Sequence, residues 1–214
     1  MTRSIFAVSF VLSAVLVTAG QGCKQGGVGD PCTPEQEFDP QFSGFSIKEV
    51  ITESKSFQCQ TRLCLVNHYR GRTSCPLGQD GNGVGLSPSD PKSTLKAQDC
   101  VVPGTTTKVT GPVDSTGASV NPRKKKCVPS ECSKRQQANA VYCSCRCANA
   151  QGQTNDGAIY CGCPDGFTCS KLVSSTGRGN EGLSGSYCIK NNTEYDPAGD
   201  PCGDKVGSGD RCED

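Results

Sequence analysis

Residues 141–169 read VYCSCRCANAQGQTNDGAIYCGCPDGFTC and hold six of the seventeen cysteines of the chain. Side chains alternate across a strand, so Cys143, Cys145 and Cys147 are expected on one face and Tyr142, Ser144 and Arg146 on the other. Ile159, Cys161 and Cys163 repeat the pattern after Asn155-Asp156-Gly157, three residues that tolerate the left-handed backbone of a turn. The reading is a β-hairpin with a sulfur-lined face. Residues two apart rarely bridge each other, so these cysteines are expected to pair across the hairpin or with Cys127, Cys132, Cys169 and Cys188. A binding function then belongs to the opposite face, around Tyr142, Arg146 and Tyr160, and to the basic loop leading into it.

Composition explains the need for sulfur. From Cys23 onward there are 192 residues, of which 7 are Leu, 4 Ile, 13 Val and 5 Phe, about 15%. Below about 20%, burial struggles to offset chain entropy. Cross-links therefore substitute for much of an apolar core, each contributing about 2–4 kcal/mol by restricting the unfolded chain. The cysteines available for bridges are Cys32, Cys59, Cys64, Cys75, Cys100, Cys127, Cys132, Cys143, Cys145, Cys147, Cys161, Cys163, Cys169, Cys188, Cys202 and Cys212. The fold class expected is a small disulfide-rich, mostly β protein with short antiparallel hairpins, long loops and little helix apart from a signal peptide. Such bridges persist in periplasmic or extracellular surroundings.

The N-terminus agrees with export. Arg3 precedes a thirteen-residue apolar run, Ile5 to Val17, followed by small and polar residues. This is the pattern of a secretory signal, and the run is shorter than the ~20 residues of a membrane span. Gly20-Gln21-Gly22-Cys23 resembles the bacterial lipobox, with Gly20 in place of the usual Leu. The resemblance implies a thioether-linked diacylglycerol on Cys23 and, since Lys24 rather than Asp follows, an outer-membrane lipoprotein. Parity agrees, because seventeen is odd and lipidation of Cys23 leaves sixteen cysteines to pair. Ordinary cleavage after Ala19 or Gly20 gives a secreted or periplasmic chain instead.

Taken in order, the chain divides into a signal peptide (1–22), a lipidated tether (23–31), an N-terminal disulfide-rich β module (32–100), a linker or exposed loop (101–122), a C-terminal cysteine-rich β module (123–190) and an acidic tail (191–214). Lys24 to Asp30, KQGGVGD, has the glycine content of a flexible tether. Phe45 to Ser54 and Phe57 to Val66 read as strands, and Arg70-Gly71 as a turn that sets Cys64 beside Cys75. His68, the single histidine, reads as structural rather than as a base or ligand. Asp80-Gly81-Asn82-Gly83 has part of a calcium loop but lacks the glutamate such a loop needs, Pro91 standing at that position. Five cysteines precede the linker and eleven follow it. An odd number of bridges must therefore cross it, most simply one made by Cys100.

Charge is uneven. Residues 101–150 carry 8 Lys/Arg against 2 Asp/Glu, and residues 151–214 carry 5 against 10. The basic excess centres on Arg123, Lys124, Lys125 and Lys126, with Lys134, Arg135 and Arg146 nearby in sequence. This run reads as a solvated loop compensating the acidic tail, with a patch for an anionic glycan or lipid headgroup as the functional alternative. No aromatic residues are interleaved with these charges, which argues against nucleic acid. The tail reads as a solvated segment closed by Cys202 and Cys212, with Asp200, Asp204 and Asp210 as a weaker calcium alternative.

Cys161 to Cys169, with C-x-C followed by Gly166-Phe167 and another cysteine, weakly resembles part of an EGF-like or trypsin-inhibitor-like module. It closes too soon after Phe167 for EGF, so no calcium or receptor role is carried over. C-x-C-x-C followed by C-x-C also resembles metallothionein usage, against which export and cysteine parity both argue, leaving no metal or cofactor expected. As a whole, the lipobox with YCSCRC and GSYCIK resembles uncharacterised cysteine-rich bacterial lipoproteins, which implies location and no activity. No nucleophile–base pair, paired-carboxylate motif or phosphate loop is evident. The function expected is a non-catalytic envelope or secreted structural or binding protein attached to the membrane through Cys23. The alternative is a disulfide-rich protease inhibitor presenting Val128 to Glu131 or Pro164 to Thr168.

Overall fold

The structure, a computed structural model, describes residues 25–88, 96–118, 126–173, 183–198 and 202. Cys23, Arg123, Lys124, Lys125, Cys212 and the tail aspartates Asp200, Asp204 and Asp210 lie outside the described residues. Strands β1 (Val50–Glu53), β2 (Cys64–Asn67) and β3 (Val141–Cys143) form one antiparallel sheet in the order β1-β2-β3. Strands β4 (Arg146–Ala148), β5 (Phe167–Val173) and β6 (Gly185–Lys190) form a second in the order β4-β6-β5. Helix among the described residues amounts to one turn, α1 (Gln137–Ala140), and a 3-10 turn, Glu35–Phe38. This is the small disulfide-rich β fold that the composition requires.

Strand β2, CLVN, is buried at every position because it is the centre of its sheet with packing on both faces. Cys64 and Val66 join a cluster with Cys32, Phe45, Cys59, Tyr69, Ala140, Val141 and Cys143. Leu65 faces the other way and packs with Leu63, Tyr142 and Tyr187. Edge strand β1 is half-buried throughout. The first sheet and its core thus draw residues from both sides of the segment read as a linker.

The sulfur-rich stretch departs from the expected hairpin. Its first run changes sheets, with Tyr142 and Cys143 pairing against β2 while Arg146 and Ala148 pair against β6. Ser144 sits at the crossing, buried, with its N–H donating to Leu63 O at 3.0 Å and its hydroxyl to Cys188 O at 2.8 Å. Two hydrogen-bonding obligations in different directions stop a single strand from continuing. Cys143 therefore packs in a different cluster from Cys145 and Cys147, and residues 159–163 form no strand. Tyr142, placed by alternation on an outer face, is 1% exposed. Its ring meets Phe167 edge-on at 5.8 Å and its hydroxyl accepts from Lys190 N–H, so it ties the two sheets together.

Seven bridges join Cys32–Cys64, Cys59–Cys143, Cys75–Cys100, Cys132–Cys202, Cys145–Cys161, Cys147–Cys169 and Cys163–Cys188. Cys127 is disulfide-bonded as well. Three of the pairs follow the expected crossing between the two sulfur-rich runs and their neighbours. Four expectations are corrected. Cys143 reaches back to Cys59 across 84 residues, because β3 lies beside β2. Cys100 stays on its own side of the linker, and among these seven bridges Cys59–Cys143 is the one that crosses. Cys64 and Cys75 are not neighbours, since β2 pairs with β1 and Cys75 turns away after Gly71. Cys202 pins the tail to Cys132 rather than closing a loop with Cys212.

Two segments read as loose are docked. Val102 N–H donates to Thr107 O and Val109 N–H to Cys100 O, which folds residues 100–109 into a small hairpin. Val109, 1% exposed, packs against Cys75, Cys100 and Val128. The tether residues from Gln25 to Asp30 lie against the body. Gly26 N–H donates to Gln58 O at 2.7 Å, Gln60 N–H to Gly26 O at 2.9 Å, and Gly29 N–H to Cys143 O at 2.8 Å. At Gly29, with φ +96°, a Cβ would lie 2.7 Å from the Phe167 ring. These glycines serve close approach rather than flexibility.

Several loops are the same device repeated. Asp80, Asp114 and Asn149 each accept, through one side-chain oxygen, the N–H groups two and four residues on. In each loop the N–H of residue four donates back to the carbonyl of residue one, and residue four is a glycine with positive φ: Gly83, Gly117 and Gly152. The polar side chain replaces ladder partners that a five-residue hairpin loop lacks. The carboxylate of Asp80 is engaged in this way, which accounts for the calcium-like Asp-Gly-Asn-Gly run without an ion.

Candidate binding surface

Two grooves stand out, and neither lies on the face of one hairpin. The first gathers Arg146 and Tyr160 as the sequence predicts, together with Thr61, Leu63, Ile159 and Cys161, around a volume of about 270 Å³. The Arg146 guanidinium lies 5.1 Å from the centre of the Tyr160 ring, and its Nη2 donates to Ser184 O at 2.6 Å. Its Nε is buried with no hydrogen-bond partner among the described residues. The Tyr160 hydroxyl lies 2.9 and 2.7 Å from the two Asp156 oxygens, and Asn149 Nδ2 donates to Asp156 Oδ2 at 3.0 Å. The hydroxyl first and then the amide pull the Asp156 carboxyl down to about 2, so it is ionised at neutral pH. Between these anchored groups Ile159 is 97% exposed. Ile159 is therefore a surface residue and takes no part in the core.

The second groove was not legible in residue patterns. Phe38 and Phe57, 50% and 73% exposed, wall a volume of about 360 Å³ with Glu35, Glu53, Lys55, Ser56 and Gln58. Arg62 lies over the Phe57 ring at 4.0 Å. Glu53 Oε2 accepts from Glu35 N–H at 2.9 Å, while burial raises its carboxyl above the usual range. The Ser56 hydroxyl is buried and unpartnered among the described residues. The available signal was two phenylalanines set among polar residues in a chain of seven Phe and no Trp.

The other sequence candidates fall elsewhere. Of the basic run only Lys126 is described, and it is exposed. Arg135 is buried and does not join a surface patch, since it donates to the carbonyls of Asn67, His68 and Thr193. His68 is half-buried with φ 52°, its Nδ1 2.9 Å from Ile47 O and its ring stacked on Tyr195 at 3.8 Å. Burial holds its pKa below the ordinary value. This histidine pins the segment after β6 to the end of β2, as expected of a structural residue.

Val128 to Glu131 cannot serve as an inhibitory loop. Val128 is fully buried and Ser130 2% exposed, and Val128 pairs with Gln79 through two backbone hydrogen bonds. Pro164 to Thr168 is a closed turn, with Phe167 N–H donating to Pro164 O and Asn191 N–H to Gly166 O. Sulfur atoms do gather in three groups, Cys32/Cys59/Cys143, Cys145/Cys161/Cys188 and Cys147/Cys163/Cys169. All nine are in disulfides, which offer no thiolate for a metal.

Comparison with protein-family models, with curated proteins and with solved structures gave no match. So many cystines belong to an oxidising, extracytoplasmic compartment. No described helix is long and apolar enough to cross a membrane.

Proposed function

We propose that this protein is a non-catalytic, lipid-anchored component of the bacterial cell envelope, attached through Cys23 and presenting a rigid binding surface on a disulfide-bonded body. Cysteine parity carries the reading. All fifteen described cysteines are disulfide-bonded, fourteen of them to one another in seven bridges and Cys127 to a further partner. Of the two cysteines outside the described residues, Cys23 and Cys212, one completes the set and the other is surplus. A surplus cysteine at the end of a signal-like run is the one a lipobox would acylate. The test is intact mass and disulfide mapping of detergent-extracted protein. Acyl mass on Cys23 with a Cys127–Cys212 bridge supports the reading, and a Cys23-containing disulfide or a mature chain beginning at Gly20 or Gln21 sinks it.

We infer, as a second reading, a protease inhibitor presenting Ile159 rather than the buried Val128 loop. Ile159 projects fully into solvent, and Cys145–Cys161 fixes the backbone two residues on. A rigid loop offering one apolar side chain is what a substrate-like inhibitor presents to a specificity pocket. Inhibition of an endopeptidase with a small apolar pocket, abolished by Ile159→Asp, supports it. No inhibition at micromolar protein across several endopeptidases removes it.

A further inference from the structure

The point where the folded body begins constrains how an anchored protein meets its membrane. Gln25 is fixed on both sides, its Nε2 donating to Phe57 O at 3.1 Å and its carbonyl accepting from Gln60 Nε2 at 3.1 Å. The next residue, Gly26, pairs with Cys59. Cys23 is two residues before Gln25, a reach of at most ~7 Å for extended chain. A lipid on Cys23 therefore has no slack tether, and the edge formed by residues 55–62 lies at the depth of the headgroups.

That edge has the chemistry of a membrane interface. Phe57, 73% exposed, is its most prominent apolar side chain, and Phe38 stands across the groove from it. Arg62 is stacked on the ring at 4.0 Å, and Lys55 lines the same groove. An aromatic ring at the headgroup level with cations beside it is favoured where hydrocarbon gives way to phosphate. Of the groove carboxylates, Glu53 is partly buried and accepts from Glu35 N–H, while that of Glu35 is exposed and offsets one of the two cations.

We propose that the edge around Phe57 is a second, non-covalent membrane contact that holds the body flush against the bilayer. The inference rests on lipidation of Cys23. Its occupant is the phospholipid interface itself, which a single exposed ring engages only when the anchor keeps it there.

The chain has no tryptophan, so a single introduced indole is an unambiguous reporter. Acylated Phe57→Trp protein is bound to phosphatidylethanolamine/phosphatidylglycerol vesicles, with and without bromine in the upper acyl chain. The expected result is a blue shift relative to the unacylated Cys23→Ser form in water and a loss of most of the emission in brominated vesicles. Val84→Trp, at an exposed position in another loop, should show neither change. Phe38→Trp supplies a second reporter if the first variant retains free thiols. Acylated, vesicle-bound protein with a water-like Phe57→Trp spectrum overturns the docking and leaves the anchor standing. Absence of acyl mass on Cys23 removes the anchor and the docking together.

Discussion

Arg72 Nε lies 3.3 Å from Glu37 Oε2, and both side chains are 0% exposed. Arg72 also donates through Nη1 to the carbonyls of Asp39 and Phe42 and through Nη2 to that of Glu37, and Glu37 accepts from Thr73 N–H and the Ser74 hydroxyl. The pair binds the 3-10 turn to the chain after β2 in a protein too poor in apolar residues to do so by burial. Glu37→Ala leaves a buried guanidinium without its counter-charge, which costs about 3–5 kcal/mol. Urea unfolding with the disulfides intact should show a midpoint lowered accordingly. An unchanged midpoint would mean that the pair contributes nothing net.

Cys59–Cys143 closes 84 residues and joins the two cysteine-rich segments, whereas Cys147–Cys169 closes 22 within the second sheet. Loop-closure entropy favours the longer bridge, within a range of about 2–5 kcal/mol for native bridges. Cys59→Ala/Cys143→Ala should therefore lower stability more than Cys147→Ala/Cys169→Ala, as read by denaturant titration of the two double variants. The opposite order would show that strain or residual structure in the unfolded chain outweighs loop length.

The glycines divide into two kinds. Gly117 has φ +79° and open space where a Cβ would go, so Gly117→Ala should cost only the backbone term, about 1 kcal/mol. At Gly71, φ +88°, a Cβ would lie 2.2 Å from Pro129 O. Gly71→Ala must displace backbone as well, and its melting temperature should fall well below that of Gly117→Ala. Equal melting temperatures would contradict the close approach of these two segments.

His68 gives the chain a specific acid sensitivity. Desolvation, with the charge of Arg135 as a lesser cause, lowers its folded pKa below the ordinary 6.5, so the native state binds fewer protons there than the unfolded state does. The stabilisation is present above the unfolded pKa and is lost as pH falls from about 6.5 through the lowered folded value. There is one histidine in the chain, so His68→Gln should flatten stability against pH in that window and leave the carboxylate region below it. A wild-type profile already flat between pH 5 and 7, a window set by the ordinary histidine value, would refute the assignment.

Asp80, Asp114 and Asn149, each three residues before a glycine, close their loops with atoms lying within four residues, yet the turn of the sulfur-rich stretch was expected at Asn155-Asp156-Gly157 and is closed instead by Asn149, since a polar residue's cap shows only in the geometry. Arg146 and Tyr160 were also expected on one surface and are found stacked. Tyr142 does point away from Cys143, as alternation requires, but that face is covered by Leu63, Leu65 and Tyr187 and is no surface. At Ser144 the chain leaves one sheet for the other, a choice made by Leu63 and Cys188, distant residues whose carbonyls need donors.

Composition alone determined that cystine would replace a hydrophobic core, that strands would be short and that helix would be scarce, because these follow from how little apolar area the chain can bury. Tertiary structure alone decided which cysteines meet, that the glycine-rich start is docked rather than slack, and that Phe57 and Ile159 face water. Each of those outcomes depends on contacts between residues far apart in sequence, and no local pattern encodes which distant partner closes first or fits best.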